Sequence, residues 1–327
     1  MQLSSFERKL INRFQGDVPL AHRPFRHMAQ TLDADEDQVI TTIEKLLEQG
    51  WLSRFGPLYN AERLGGSLVL AAIAVPEERF QQVTGLVNAL PEVAHNYRRD
   101  HRLNMWFVLA TDSDDATAAA VDRIERETGL QVFAFPKEQE FYLGLWFEIQ
   151  DDGGFNTRSF PVNPSSKVQQ LDDLDRRIVA RTQAGLPLTH EPCETVAEDL
   201  GCWPSEVITR MDAMQESGVI RRLGLVPNHY RLGFKGNGMT VWNIPDELLH
   251  KAGARLGALD YVSHCYARPR HLPVWPYNLF AMVHGRDRDE VMTKVNEMSR
   301  LLQPFSEGHE VLFSTEVLKK IGMRLAV

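Results

Sequence analysis

The chain contains few cysteines and no long apolar run. Its 327 residues include three cysteines, Cys193, Cys202 and Cys265, whose spacing matches no Cys-x-x-Cys metal pattern. Sparse, irregularly spaced thiols are typical of free cysteines in a reducing compartment. The sequence also lacks the uninterrupted run of about 20 apolar residues that a membrane-spanning helix needs. We therefore expect no disulfide framework, no zinc site and no contact with a membrane.

The sequence also lacks an apolar N-terminal stretch and an excess of basic residues. Residues 1–10 contain no apolar stretch of the kind that a secretory signal requires, so we expect a cytoplasmic protein. Acidic residues outnumber basic ones by 44 to 36, which gives a formal net charge of −8 and a pI near 5.8. Nonspecific binding to nucleic acids depends on clustered Lys and Arg side chains that neutralise phosphates. This charge balance argues against such binding.

What the sequence does contain is a repeat of about half its length. The Pro-Leu-x-His-x-Pro turn at residues 19–24 returns at residues 187–192. Further matches follow in the same alignment: Arg63-Leu64-Gly65 with Arg231-Leu232-Gly233 and, after short slips, His95 with His264 and Asn104 with Asn278. A period this long predicts two related domain pairs rather than a solenoid of short repeats.

Each half divides again into two domains. Apolar residues at helical spacing predict helices at residues 5–15, 24–32 and 36–49, and at 173–183, 192–200 and 204–217. Each set ends at a Gly, and a short extended stretch follows. This is the outline of a winged helix-turn-helix. The remainder of each half alternates in the order βαββαβ, which is typical of a ferredoxin-like sandwich of one sheet and two helices.

The predicted fold class is therefore α+β, as a tandem duplication. The predicted domains are a winged helix-turn-helix at 1–62, a ferredoxin-like domain at 63–150, a Gly-, Pro- and Ser-rich linker at 151–168, a second winged helix-turn-helix at 169–230 and a second ferredoxin-like domain at 231–327. We expect the halves to pair sheet to sheet as a pseudo-dimer within the chain. Further homodimerisation is left open.

Both halves carry the pattern His-x-Tyr-x-Arg on a predicted strand. Because strand side chains alternate between faces, one face would carry His95, Tyr97, Arg99 and His101, and its counterpart His264, Tyr266, Arg268 and Arg270. Such groups make a poor core but a suitable wall for an aromatic, anionic ligand. A single copy could equally hold half-buried rings and arginines paired with surface acids. Repetition of the face favours a ligand, and we expect both strands to face one shared hollow.

The outline of a helix-turn-helix followed by a ferredoxin-like domain resembles the Lrp/AsnC family of bacterial transcription regulators. A recognition helix of such a regulator needs basic or amide side chains that face the bases. Here residues 33–38 read Asp-Ala-Asp-Glu-Asp-Gln, and the second copy offers Glu206, Asp212 and Glu216 beside Arg210. These carboxylates would repel the DNA backbone, so we expect a retained scaffold and no DNA binding.

A second resemblance depends on more specific motifs. The patterns His-Asn-Tyr-x-Arg-x-His and Asn-x-Trp-Phe in the first half, and Ser-His-Cys-Tyr-x-Arg-Pro, Trp-Pro-Tyr-Asn-Leu and His-Gly in the second, resemble the two subunit types of siroheme decarboxylase. Here the two types look fused end to end, over nearly the whole chain apart from the linker and both termini. The resemblance implies a carboxy-lyase that removes CO2 from the C12 and C18 acetate side chains of siroheme, giving 12,18-didecarboxysiroheme. The fused arrangement resembles the heme d1 branch, and the alternative heme pathway stays open.

The chemistry of that reaction suggests roles for individual residues. Loss of CO2 from an acetate leaves a carbanion that needs a proton, for which a histidine is a suitable donor. The predicted catalytic residues are His264, His95, Tyr266 and Tyr97. The predicted substrate-binding residues, which would hold the carboxylates and cover the macrocycle, are Arg268, Arg270, His271, Arg99, His101, Trp275, Tyr277, Asn278, Arg222 and Arg54. We expect no separate cofactor, because no Schiff-base lysine, thiamine or dinucleotide fingerprint is visible, and no metal held by the protein alone. Axial ligation of the substrate iron by His264 or His95 is an open alternative.

Several alternatives remain at this point. The longer loop at 270–277 favours the second half as the more competent site, with the first half an equal or a degenerate partner. The competing functions are a regulator that senses a tetrapyrrole or another small ligand and, less well supported by the bulky aromatic wall, an amino-acid-binding protein. Structural roles are expected for His22 and His190 in their turns, for Trp106 and Phe280 in the core, and for His284 at a strand end, where a ligand contact also stays open.

Overall fold

The computed structural model describes residues 3–144, 146–151, 154–158, 169–228, 231–233 and 236–320. In the first half the helices are α1 (Ser5–Arg13), α2 (Pro24–Leu32), α3 (Glu36–Glu48), α4 (Phe80–Ala89) and α5 (Asp114–Thr128). The strands of that half are β1 (Leu52–Tyr59), β2 (Ser67–Ile73), β3 (Val93–Arg99), β4 (Met105–Thr111), β5 (Val132–Phe135), β6 (Gln139–Leu143), β7 (Trp146–Ile149) and β8 (Phe155–Arg158).

The second half repeats this order up to its last strand. Its helices are α6 (Asp173–Thr182), α7 (Pro192–Leu200), α8 (Pro204–Glu216), α9 (Asp246–Gly257) and α10 (Arg288–Leu302). Its strands are β9 (Ile220–Pro227), β10 (Gly236–Asn243), β11 (Val262–Ala267), β12 (Leu279–Gly285) and β13 (Gly308–Lys320). The predicted tandem duplication of a winged helix-turn-helix and a βαββαβ domain is confirmed.

The first helix of each half starts at a capping box. The side chain of Ser4 accepts a hydrogen bond from the backbone of Glu7, and Glu7 accepts one from the backbone of Ser4. Asp172 and Asp175 make the same reciprocal pair ahead of α6. Because each box satisfies two otherwise unpaired backbone N–H groups, it fixes where the helix begins.

Within the described residues, nine strands form a single sheet in the order β5-β2-β4-β3-β13-β10-β12-β11-β6. The two outermost strands, β5 and β6, are separated in the chain by residues 136–138 alone, so the sheet curls into a ring. The halves meet edge to edge at two junctions, β3 with β13 and β11 with β6. This arrangement confirms the predicted pairing of the halves within the chain.

The two faces of the curled sheet carry different cores. Helices α4 and α5 cover the outer face of the first half, and α9 and α10 cover that of the second. The inner faces of both halves pack against each other through a shared cluster. This inner cluster contains Ala72, Leu103, Trp106, Phe133, Phe135, Met239, Val241, Trp275, Phe280 and Leu312. Trp106 and Phe280 therefore have the core positions predicted for them.

The winged helix-turn-helix domains are joined by their wings. Strands β1 and β9 pair antiparallel, with Gly56 opposite Gly224. A Cβ atom on Gly224 would lie 2.5 Å from the carbonyl carbon and oxygen of Gln15, just after α1 of the other half. A Cβ on Gly56 would lie 2.9 Å from the backbone nitrogen of Leu186, just after α6. Only glycine allows each wing to lie this close to the backbone of the opposite half.

The start of the predicted linker belongs to a packed hairpin. Gln15 donates a 2.7 Å hydrogen bond to the carbonyl oxygen of Phe147, and Asn12 donates one of 2.9 Å to that of Ile149. Strand β7 therefore packs on α1, and β8 of the predicted linker pairs with β7, so the packed region extends beyond the predicted boundary between residues 150 and 151. Residues 152–153 and 159–168 of the predicted linker lie outside the described residues, as do positions 229–230, 234–235 and 321–327 of the second half.

Candidate active site

Each half places a histidine directly after a β-bulge. The register between β3 and β4 shifts between Val93 and His95, and that between β11 and β12 shifts between Val262 and His264. The residues in the two bulges are Ala94 and Ser263. A bulge bends its strand and re-aims the side chains around it, and bulges occur often beside active sites. His95 then lies opposite Val108, and His264 opposite Met282, on the inner face of the sheet.

Both histidines belong to similar side-chain triads. We call His95, Tyr97 and Arg99 the first triad, and His264, Tyr266 and Arg268 the second triad. The imidazole and phenol ring centroids are 6.0 Å apart, edge to face, in both. The guanidinium carbon lies 5.9 Å from the Tyr97 ring centroid in the first triad and 5.0 Å from the Tyr266 centroid in the second. The prediction that the three side chains of each triad share one face of their strand is confirmed.

The two triads do not share one hollow, however. Strands β13, β10 and β12 lie between β3 and β11 in the sheet order, and the aromatic inner cluster fills the space inside the curled sheet. Each triad instead lies at one of the two junctions. The first triad borders β13 of the second half, and the second triad borders β6 of the first half. Each candidate site is therefore built from both halves.

The two triad arginines reach across these junctions. Arg99 donates a 2.6 Å hydrogen bond to the carbonyl oxygen of Leu312, and Arg268 donates one to the carbonyl oxygen of Phe135. Burial lowers the pKa of Arg268 to about 10, and the neighbouring Tyr266 opposes this shift. The guanidinium remains a cation at neutral pH. Burial also raises the pKa of Tyr266, so its phenol stays protonated.

His101 and His271 follow the ends of their strands and also contact the opposite half. His101 lies 5.5 Å from the Trp275 ring centroid and 3.0 Å from a carboxylate oxygen of Glu310. Burial lowers the pKa of His101, although Glu310 acts in the other direction. His271 donates a 2.7 Å hydrogen bond to the carbonyl oxygen of Ala134. Both contacts join the halves, and substrate binding by these histidines stays a prediction.

The loop at 270–277 lies differently from the prediction. Arg270 lies beyond the end of β11, where its guanidinium binds the carboxylate of Asp246 and the carbonyl oxygen of Ile244. It therefore does not share the face of the second triad. Trp275 is 0% exposed inside the inner cluster, and the hydroxyl of Tyr277 donates a 2.7 Å hydrogen bond to Glu310. The loop is thus packed into the protein in this structure rather than placed as an open cover.

The repeated asparagines have a structural contact in both halves. The side chain of Asn278 accepts a 3.0 Å hydrogen bond from the backbone N–H of Ile244 and donates one of 2.9 Å to its carbonyl oxygen. Asn104 makes the same pair with Val75, at 2.8 Å and 2.8 Å. Each asparagine ties the triad hairpin to the end of the neighbouring strand. Both polar atoms of Asn278 are thus used within the protein, which differs from the predicted substrate contact.

At the wings, the residue that reaches the second triad is one that the sequence did not single out. Arg54 donates a 2.6 Å hydrogen bond to the carbonyl oxygen of Gln183, and burial lowers the pKa of Arg222 to about 10. The adjacent Arg221 instead donates a 3.0 Å hydrogen bond to Glu140, which lies opposite Tyr266 in the sheet register. Substrate binding by Arg54 and Arg222 stays a prediction.

A chain of hydrogen bonds runs from the second triad along the sheet. Nδ1 of His264 lies 2.7 Å from Oγ of Ser263, and the same Oγ lies 2.6 Å from Nε2 of His284. Nδ1 of His284 lies 2.6 Å from Oδ1 of Asn237. The sequence carried a signal for this chain in the Ser-His and His-Gly pairs. It could not place them together, because the partners are far apart in the chain.

Comparison with known proteins agrees with this architecture. The family model of the AsnC-like ligand binding domain matches residues 63–142 and 231–319, together more than half of the chain. The model of the siroheme decarboxylase NirDL-like HTH domain matches residues 7–52 and 175–221. A siroheme decarboxylase of Hydrogenobacter thermophilus is 31% identical over 97% of this chain and 93% of its own length. This chain belongs to the siroheme decarboxylase family.

Two further relatives show how the siroheme decarboxylase family is organised. The siroheme decarboxylase NirH subunit of Paracoccus pantotrophus is 50% identical over 47% of this chain and 96% of its own length. The crystal structure of the siroheme decarboxylase NirDL in co-complex with an iron-uroporphyrin III analogue is 28% identical, with a TM-score of 0.73. That match covers 98% of this chain and 93% of the other. The family thus includes single-chain and separate-subunit forms.

In this siroheme decarboxylase family member, the helix-turn-helix domains contact each other. His190 lies 2.7 Å from a carboxylate oxygen of Asp37, in the first turn of α3 of the other half. His22 borders a shallow surface depression of about 620 Å³ between α2 and α8, distant in sequence from both triads. Helix α3 corresponds to the recognition helix of a DNA-binding regulator. Its Asp37 contacts the other half and is surrounded by carboxylates, which agrees with a scaffold role for α3.

The part of the chain that the structure describes contains no group of three or more His, Cys, Asp and Glu residues that could hold a metal ion. The three thiols of this family member are free, and burial raises the pKa of Cys193 to about 11. Among the described helices, none is long and apolar enough to cross a membrane.

Proposed function

We propose that this chain decarboxylates siroheme, removing CO2 from the acetate side chains at C12 and C18 to give 12,18-didecarboxysiroheme. Family membership over nearly the full length supports the reaction class. A homologous structure with an iron-uroporphyrin III analogue supports a tetrapyrrole as substrate. The observation that carries the proposal is the repeated triad, in which a β-bulge places His264 beside Tyr266 and Arg268.

The reaction requires a bond cleavage and a proton transfer at each acetate. The bond between the methylene carbon and the carboxylate breaks, CO2 leaves, and the electron pair stays on the methylene carbon. The conjugated macrocycle shares this negative charge. His264 then donates a proton to that carbon, which becomes a methyl group. Proton donation by a positioned side chain typically contributes about 10²–10⁴-fold to the rate.

The triad arginine and tyrosine fit the remaining needs of the substrate. Siroheme carries several carboxylates that do not react, and the buried cation of Arg268 would attract one of them. The Tyr266 ring offers a flat apolar surface beside the macrocycle. In this proposal the substrate brings its own iron and the protein needs no separate cofactor. The first triad offers the same three groups at the opposite junction.

The test is an anaerobic assay of the full chain with siroheme, read by mass spectrometry. The expected result is the loss of two CO2 units from the substrate. His264→Ala should lower the rate by about 10²-fold or more. His95→Ala reports whether the first triad contributes equally. His250→Ala is the matched control, because His250 is exposed on α9 and should keep the parental rate.

Two outcomes would contradict the proposal. Undiminished activity in both His264→Ala and His95→Ala would remove histidine from the mechanism. No loss of CO2 in the parental protein, together with a shift of genomic DNA fragments in a gel, would favour a ligand-sensing regulator. We expect no gel shift, because Glu36 and Asp37 lie in the first turn of α3, where a regulator would approach the DNA.

A further inference from the structure

The second triad continues into a buried polar chain that the reaction as described above does not use. The chain runs from His264 through Ser263 and His284 to Asn237, with successive distances of 2.7, 2.6 and 2.6 Å. Ser263 is 0% exposed and His284 is 6% exposed. Short hydrogen bonds centred on these two buried residues hold the side chains of the chain in place.

The chemistry of these atoms fixes one hydrogen bond and allows two orders for the others. Oδ1 of Asn237 can only accept, so Nδ1 of His284 carries a hydrogen. If His284 is neutral, its Nε2 accepts from Ser263, and Ser263 in turn accepts from Nδ1 of His264. If His284 is protonated, Nε2 donates to Ser263, Ser263 donates to Nδ1 of His264, and the hydrogen of His264 lies on Nε2. The hydroxyl of Ser263 can adopt both orders, because it donates one hydrogen and accepts others.

We propose that Ser263 and His284 form a proton relay that supplies His264 during decarboxylation. The relay deepens the proposed function and rests on it, because it needs His264 as the donor to the substrate carbanion. His284 is the proton reservoir and Ser263 is the connecting group. Neither residue touches the substrate in this scheme, so both act through His264.

The relay balances in every step. Nε2 of His264 gives its proton to the methylene carbanion and forms the new C–H bond of the methyl group. The hydroxyl proton of Ser263 moves to Nδ1 of His264, and the proton on Nε2 of His284 moves to Oγ of Ser263. His284 ends neutral, so the net transfer is one proton from His284 to the substrate. After product release, a proton from the solvent binds Nε2 of His264, and the proton transfers along the chain run in reverse until His284 is protonated again.

The first half cannot form this relay, which makes the two triads chemically unequal. In the sheet register, Ala94 occupies the bulge position of Ser263. Ala110 follows Leu109 as His284 follows Val283, and Leu68 lies opposite Ala110 as Asn237 lies opposite His284. Neither alanine nor leucine has a polar side-chain atom. The relay therefore assigns proton delivery to the second half, in agreement with the preference drawn from its longer loop.

The backbone around His284 is held in place by helix α10. Lys294 donates a 2.8 Å hydrogen bond to the carbonyl oxygen of His284 and a 2.7 Å one to the carboxylate of Glu290. A Cβ on the adjacent Gly285 would lie 3.0 Å from a side-chain carbon of Val291. This close packing fixes the strand, so the ring of His284 keeps its place between Ser263 and Asn237.

The test uses substitutions that the fold already contains. Ser263→Ala and His284→Ala give the second half the residues that the first half carries at the same register positions. We expect each to lower kcat for siroheme by about 10²-fold, within the contribution of general acid catalysis, with little change in KM. The double variant should be no slower than either single one, because the residues act as a unit. Ser263→Thr keeps the hydroxyl and should restore most of the rate.

The matched control is Ala94→Ser, which adds a hydroxyl in the first half without a second histidine behind it and should leave the rate unchanged. A plot of the rate against the D2O fraction should be curved for the parental protein, because several protons move in the same step. The same plot should be linear for Ser263→Ala. Parental rates in Ser263→Ala and His284→Ala, with His264→Ala inactive, would overturn the relay and leave the proposed function standing.

A measurement without substrate separates the two proposals. In the full chain labelled with ¹⁵N-histidine, the relay predicts that His284→Ala changes the nitrogen shifts of His264, because its tautomer depends on the order of hydrogens along the chain. Unchanged His264 shifts in that variant would overturn the relay whether or not siroheme is the substrate. A parental protein that releases no CO2, with coupled shifts, would contradict the proposed function and leave a coupled hydrogen-bond chain without a role in decarboxylation.

Discussion

Arg99 donates a 2.6 Å hydrogen bond to the carbonyl oxygen of Leu312, which belongs to the other half of the chain. Arg268 makes the corresponding contact with the carbonyl oxygen of Phe135, at the opposite junction. The arginine that we predict in each half to bind substrate carboxylates therefore also joins the two halves. A change at either triad arginine should affect stability as well as activity, and assays of such variants need both measurements.

We expect Arg99→Ala to lower the free energy of unfolding by about 2–3 kcal/mol, because it removes a charged hydrogen bond from a buried junction. Its neighbour Arg98 is a matched control on the same strand. Arg98 faces the other side of the sheet and pairs at 2.7 Å with Glu77, whose side chain is exposed. Arg98→Ala should therefore cost about 1 kcal/mol or less. Urea unfolding of both variants measures this difference. Equal losses in the free energy of unfolding would mean that Arg99 does not stabilise the junction between the halves.

The wings provide a second test of how the halves are joined. Gly224→Ala should lower the free energy of unfolding by about 3 kcal/mol, because its Cβ would lie 2.5 Å from the backbone of Gln15, which cannot move aside cheaply. Gly308 has no atom within 4 Å of the position of a Cβ. Gly308→Ala should cost less than about 0.5 kcal/mol. If thermal unfolding finds both variants equally mild, the wing does not pack against α1 as described.

Local sequence patterns predicted much of this fold, because they report short-range geometry. Helical periodicity located α2 at residues 24–32, as observed, and strand alternation placed His264 and Tyr266 on one face. The closure of the sheet could not be predicted in this way. Closure depends on β13, whose first residues pair with β10 and whose last residues pair with β3. The pairing of β13 with β3 joins segments that are more than 200 residues apart in the chain.

The same reason explains which site residues were misplaced. Alternation defines a face only while the strand continues, and β11 ends at Ala267, so Arg270 turns away to Asp246. The motif around Asn278 repeats in both halves, yet its shared feature is a backbone contact that a sequence cannot distinguish from a ligand contact. Arg221 and Glu140 were missed because their pairing depends on the wing, 81 residues away in the chain.

The ion pair beside the second triad predicts a pH dependence. Burial would raise the pKa of Glu140, but hydrogen bonds from Arg221 and Lys137 outweigh it, so its pKa in the folded protein is lowered. A lowered pKa in the folded state stabilises the protein above the usual carboxyl pKa, and this stability is lost as pH falls through the folded value. We expect Glu140→Gln to cost about 1–2 kcal/mol at pH 7. The difference in the free energy of unfolding between this variant and the parental protein should shrink as the pH falls below 4.5, the ordinary pKa of a glutamate side chain.

Urea unfolding at neutral and acidic pH measures this effect. Glu148 on β7 provides the control, because its side chain is exposed and Glu148→Gln should unfold as the parental protein does at either pH. A gap between Glu140→Gln and the parental protein that stays constant from pH 7 to acid would show that the carboxylate charge of Glu140 does not stabilise the fold.

A substitution at Trp275 distinguishes a role in the core from a role in covering the substrate. Its side chain is 0% exposed, and its ring centroid lies 5.1 Å from that of Trp106 and 5.8 Å from that of Phe280. Trp275→Ala should therefore lower the free energy of unfolding by about 3–5 kcal/mol, as expected for a large cavity in a core. Leu272, at the tip of the same loop, is 72% exposed, and Leu272→Ala should cost less than about 0.5 kcal/mol.

Unfolding by urea and titration with siroheme, followed by absorption, should be measured on both loop variants. A stable Trp275→Ala protein with weakened siroheme binding would contradict the core role, because it would mean that the loop opens and Trp275 covers the macrocycle. A destabilised protein that binds siroheme in its folded fraction with parental affinity would support the core role. In that case the triad tyrosines, Tyr97 and Tyr266, remain the predicted aromatic surface for the substrate.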